Sequence, residues 1–124
     1  KTNPRLPDER ADFLSQHWAA PNDAGEWEIL GDPQHKKPSP LLYHVEEVLA
    51  CSRAITAPVM WVEAEDTNMW QWMGPKEQAR AEVDRRLSHL ANVTAHMMPD
   101  AGHMLHHDQP ELLARMIEDF LTRG

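Results

Sequence analysis

Pro58-Val59-Met60-Trp61-Val62 is a short apolar run with β-branched members, begun by a proline and ended by the acidic cluster Glu63, Glu65 and Asp66. Such a run reads as a buried strand of a parallel sheet. Downstream, Pro75 starts a charged segment in which Ala79, Val83, Leu87 and Leu90 recur every three or four residues, which predicts a surface helix. Val93, Ala95 and Met97 then alternate with Thr94, His96 and Met98, the period-two pattern of a strand with one face less buried, as at a sheet edge. Asp108 and Glu111 stand three apart in the manner of a capping box. After them Leu112, Leu113, Met116, Ile117, Phe120 and Leu121 make a broad apolar stripe. The order strand, helix, strand, helix predicts a parallel pair joined by a right-handed crossover. Two strands cannot bury the first from both sides, so residues 57–124 read as part of a larger α/β fold.

Residues 1–56 have a different texture. From Pro7 and Asp8, the residues Ala11, Leu14 and Trp18 recur at helical spacing, with Phe13 and His17 beside them. Between Pro21 and Pro40, the residues Asn22, Asp23, Gly25, Gly31 and Asp32 add turn formers among the prolines, which predicts a long connection or a lid segment. From His44 to Ile55, the side chains Val45, Val48, Leu49, Ser52 and Ile55 share one helical face. There is no internal repeat.

The 124 residues allow one domain at most, and a formal charge of -8 would repel a phosphate backbone or an anionic membrane surface. Nucleic acid and membrane are therefore not expected as partners. No stretch approaches the roughly 18 apolar residues of a membrane helix, and the polar start from Lys1 to Arg10 has no signal-peptide core. Cys51 stands alone, so no intrachain disulfide forms, and a reducing, cytoplasmic setting fits. A chain that opens with Lys1 in place of Met suggests a processed or truncated product.

In an open parallel sheet, reacting groups gather where strands end and loops lead into helices. The loop after the second strand, Pro99 to Glu111, carries His103. The loop after the first carries Glu63, Glu65 and Asp66 on the same edge, so a carboxylate could approach the His103 ring. An acid and an imidazole are two thirds of a triad: the acid holds the ring tautomer and stabilises the imidazolium while the ring moves protons. The plainer alternatives are a loop histidine bonded to its own turn and a solvated acidic turn. His103, His106 and His107 with Asp100 and Asp108 also suggest a zinc site. The glycine and helix cap among them argue against their convergence, and neither metal nor cofactor is expected. Trp61, Met69, Trp70, Trp72 and Met73 are either packing residues or the lining of an acyl or aromatic pocket.

Ala57 to Val62, together with Ala101-Gly102-His103 and Pro110-Glu111-Leu112-Leu113-Ala114 ahead of Phe120-Leu121, resembles the C-terminal part of an α/β-hydrolase. The resemblance covers roughly the last seventy residues; residues 1–56 resemble, more weakly, a helical cap remnant and the return helix to the core. It implies a partial α/β-hydrolase fold, a C-terminal parallel β-α-β-α unit preceded by a cap-like helical segment. It further implies that His103 is the catalytic histidine, that His106 occupies the second histidine of a Gly-His-x-x-His variant, and that an acid follows the first strand. The family's Gly-x-x-Asp, aligned from Ala64, places Thr67 at the acid's position and Asp66 one residue early. Asp66, Glu65 or an acid outside this chain could then serve.

The nucleophile elbow Gly-x-Ser-x-Gly is missing, as are its Asp and Cys versions and the oxyanion-hole segment. Ser15, Ser39, Ser52 and Ser88 fall in helical or proline-rich contexts, and Cys51 falls mid-helix. The expectation is a serine-type, esterase-like centre with His103 and Asp66 in this chain, a small-molecule substrate, and the nucleophile supplied by a separate N-terminal core. Epoxide hydrolases, dehalogenases and cofactor-free oxygen enzymes are cap-bearing relatives, so the reaction subtype stays open. The chain alone is expected to be inactive. A rival reading is a non-catalytic module that self-associates into a homo-oligomer or docks a partner through its unpaired strand.

Overall fold

A computed structural model describes residues 3–122. The chain divides into two compact units, between Tyr43 and His44.

The first unit opens with α1, Asp8–Trp18, whose first turn holds Asp8 and Glu9, where carboxylates complement the helix dipole. The chain then passes directly into β1, Ala19–Pro21, which pairs antiparallel with β2, Trp27–Ile29. Asn22 builds the turn between them: its Oδ1 accepts the N–H groups of Ala24 at 3.0 Å and Glu26 at 2.9 Å. Gly25 takes φ +79°, the left-handed conformation that glycine adopts without cost. A 3-10 turn, Pro33–Lys36, follows, started by the Asp32 carboxylate, which accepts the Gln34 N–H at 2.8 Å. The stretch expected as a long connection or a lid segment contains a hairpin strand and a helical turn. Strands of three residues offer too few positions for period two to show in the sequence. None of the described residues of this unit is buried.

In the second unit the helix expected between His44 and Ile55 forms as α2, Val45–Arg53, and buries Leu49. The parallel pair is β3, Val59–Ala64, and β4, Val93–Met98, in register from Val59 opposite Val93 to Ala64 opposite Met98. Between them lie a single turn, α3, Trp70–Met73, and the surface helix α4, Lys76–Leu87, which buries Ala79 and Val83. After β4 come α5, Leu105–Asp108, and α6, Pro110–Thr122, with Pro110 at the first helical position, where a missing N–H costs nothing.

Side chains alternate across a sheet, and the alternation assigns its two faces. Val62, Ala64 and Met98 point to one side, where Ala101, Leu105, Leu112, Leu113 and Met116 complete the core cluster. Glu63 points to the other and receives Arg80 of α4. Burial is concentrated at the carboxyl ends: Ala64 is 3% exposed, and Met98 and Ala101 are 0% exposed. Toward their beginnings the strands open. β3 stays half-buried from Val59 to Glu63, and Thr94 to Met97 of β4 are exposed on both faces, where one better-covered face was expected. The sheet has two strands, so the layers that would cover β4 are not formed by the described residues.

Candidate functional site

Ala64 and Ala101 are small enough for the two loops at the carboxyl edge to meet by their backbones. Glu65 donates its N–H to Met98 O at 2.9 Å, and Asp66 donates to Ala101 O at 3.0 Å. The strand ladder is thereby extended past both strands, and the loop carrying Asp66 is held two residues from His103. Asp100 sits at φ +49°, a left-handed position that Asp tolerates better than most residues. Its N–H is bonded to Glu65 Oε2 at 3.3 Å and its carbonyl accepts Gln109 Nε2 at 3.2 Å. Asp108, expected to cap the last helix, turns its carboxylate back to the Gly102 N–H at 2.8 Å. The loop around His103 is therefore pinned on both flanks, and His103 itself is exposed.

The loops that carry the two site residues expected from sequence are joined through backbone. Asp66 is exposed, and its N–H holds the Ala101 carbonyl. The ring contact of His103 is with Trp72 of α3, centroids 5.8 Å apart and planes inclined at 57°. Trp72, expected as a packing or pocket residue, is 71% exposed and so is not core.

His106 and His107 pack ring on ring at 4.2 Å. Burial, and then the neighbouring His106 charge, lower the His107 pKa from its ordinary 6.5, against the pull of Asp108. Among the described residues no group of three or more His, Cys, Asp or Glu side chains is arranged to hold a metal ion.

Glu63, read from sequence as part of a solvated turn, is instead a packed ion-pair partner. Its side chain is 12% exposed, it accepts Trp61 Nε1–H at 2.7 Å, and it pairs with Arg80. Arg80 also donates to Asp84 at 2.7 Å, and its hydrogen bonds to Glu63 and then Asp84 raise its pKa above the ordinary arginine value. The missed signal is the spacing of Arg80 and Asp84, four apart on a helix and so on one face.

Among the described residues, cavities adjoin the sheet near both ends of its strands. The larger, about 370 Å³, lies against Met60, His96 and Phe120 near the beginnings of the strands. That is the opposite end from His103. The smaller, about 160 Å³, is bounded by Glu65, Thr67, Trp70 and Lys76 and so adjoins the Asp66 loop.

No family model matches the sequence, and no curated protein matches it. Among solved structures, the crystal structure of E-2-(acetamidomethylene)succinate hydrolase is similar, with a TM-score of 0.64 at 18% identity. The likeness covers 98% of this chain and 41% of that chain. At this identity the likeness establishes fold: the protein has a partial α/β-hydrolase fold, containing a parallel β-α-β-α unit. The present chain spans 41% of the length of the hydrolase it resembles. No helix among the described residues is long and apolar enough to cross a membrane.

Proposed function

We propose that this chain supplies the histidine side of a serine-type α/β-hydrolase centre acting on esters or related small molecules. His103 is the general base and acid, and Asp66 is its orienting acid. The observation that supports this most is the Asp66 N–H to Ala101 O bond, which ties the acid loop to the histidine loop at the carboxyl edge of the sheet. The Glu65 carboxylate accepts the Asp100 N–H at 3.3 Å, a second bond between the same two loops. The similar solved structure is of a hydrolase, which favours hydrolysis over the other chemistries this fold hosts.

In the reaction, His103 takes the proton of a nucleophile carried by polypeptide outside this chain. It then returns that proton to the leaving group, while Asp66 fixes the ring tautomer and stabilises the imidazolium. The partner is the remainder of a hydrolase core, in a cytoplasmic setting that a lone Cys51 suits. The exposed strand Thr94 to Met97 favours a second reading, self-association through an open sheet. Sizing decides between them: a monomer that binds an N-terminal core supports the first, a stable homo-oligomer the second.

The catalytic reading is tested with a chromogenic acyl ester. The chain alone is expected to leave the ester untouched. Once the upstream coding sequence is joined to it, the longer protein is expected to hydrolyse the ester and to lose turnover by at least a hundredfold on His103→Ala, the size of a missing general base. Turnover by the longer protein that survives His103→Ala sinks the assignment. Turnover by the isolated chain that His103→Ala abolishes would place the nucleophile among these 124 residues.

A further inference from the structure

Burial does not account for the contact between Trp72 and His103. Trp72 is 71% exposed and His103 is exposed as well, so neither ring gains core packing from the other. Their centroids are 5.8 Å apart and the rings are inclined at 57°, within the range where tilted aromatic pairs attract.

The short helix α3 sets the direction in which the Trp72 side chain leaves the backbone. Trp72 donates its N–H to Met69 O at 3.0 Å and Gly74 donates to Trp70 O at 3.0 Å. Gly74 then takes φ +97°, a conformation L side chains rarely adopt, so the chain turns away after a single turn. Lys76 Nζ lies 4.9 Å over the Trp70 ring and anchors the other aromatic of the helix. Side chains two apart on a helix point about 200° apart. Anchoring Trp70 beside Lys76 therefore turns Trp72 to the opposite side, where His103 stands.

We propose that Trp72 is a positioning residue for His103, its indole restricting the imidazole to the rotamer presented at the strand edge. The inference rests on the reading of His103 as the proton-transfer group. An exposed histidine ring samples its χ1 wells freely, whereas a general base has to be held within hydrogen-bond reach of the proton it takes. Contact with a ring carried on a hydrogen-bonded turn removes part of that freedom.

The test uses the chain as it stands and needs no turnover. Three-bond couplings that report the χ1 of His103, and the ring-current displacement of its imidazole protons, are measured by NMR in the chain, in Trp72→Leu and in Trp72→Phe. The chain is expected to show one dominant χ1 population and upfield-displaced ring protons. Trp72→Leu should lose both, and Trp72→Phe should recover the coupling pattern. Methyl signals of Leu49 and Met98 confirm that the buried core is intact in each variant. Couplings unchanged in Trp72→Leu, or already averaged in the unaltered chain, overturn the proposal. Failure of the catalytic reading shows separately, as ester turnover by the longer protein that is indifferent to His103→Ala.

Discussion

The two units of the chain hold their shapes by different means. Residues 3–43 contain no buried residue, and Phe13, Trp18, Trp27, Ile29 and Leu30 lie 59% to 69% exposed. Their form comes from short-range hydrogen bonds, those of Asn22 across the hairpin turn and of Asp32 at the 3-10 turn. Residues 44–122 hold every buried residue among those described, and the cluster of Ala64, Met98 and Ala101 carries the edge where His103 stands. Local bonds suffice to shape a turn, but holding two loops at a fixed spacing takes a dry core.

The sharpest break of this contrast is Met98→Ala. Met98 is fully buried, and its truncation is expected to cost about 2–5 kcal/mol, read as a lower denaturation midpoint of the second unit with the hairpin amides unaffected. An equal loss of hairpin protection would show that the two units melt as one. Next comes Glu63→Gln, which weakens the pair with Arg80. About 1–2 kcal/mol is expected, discounted because the Arg80 side chain is 41% exposed. Asn22→Ala tests the other unit: it removes the acceptor of two backbone N–H groups and should cost about 1 kcal/mol locally, seen as faster amide exchange at Ala24 and Glu26. The second unit's midpoint should not move.

The smallest effect is a pH dependence. Hydrogen bonds from Arg85, and then Arg86, hold the Glu82 carboxyl at about 2, down from its ordinary 4.5. A carboxyl whose folded pKa is depressed stabilises the fold fully above its unfolded value and loses that contribution as the pH falls through the folded one. The difference in melting temperature between the chain and Glu82→Gln should therefore shrink as the pH falls from about 4.5 toward 2. Because the pair is at the surface, salt should also shrink it.

The regular elements of the second unit are legible in the sequence because each is long enough for its period to show. Ala79 and Val83 of α4 recur on one face and are buried, and the run from Val59 opens the strand as read. The hairpin Ala19–Pro21 with Trp27–Ile29 is not legible, being written in the side-chain acceptor of one asparagine and not in hydrophobic spacing. The edge position of His103 follows from chain order, since a parallel pair puts both outgoing loops on one side. Its contact with Trp72 does not, because it depends on where a one-turn helix stops. The ion pair of Glu63 is not legible either: the acidic cluster reads as a turn that ends the strand, whereas the strand continues through Glu63 and brings it to Arg80.

The closeness of the loops at the carboxyl edge depends on two methyl groups, those of Ala64 and Ala101. They act as the spacer of the site. A bulkier residue at either position would thicken the interior and, in the same movement, prise the loop of Asp66 away from the loop of His103. Interior volume and loop spacing are thus one variable in this chain, and a substitution far from solvent would be felt first as a shift of the loops and only then as instability.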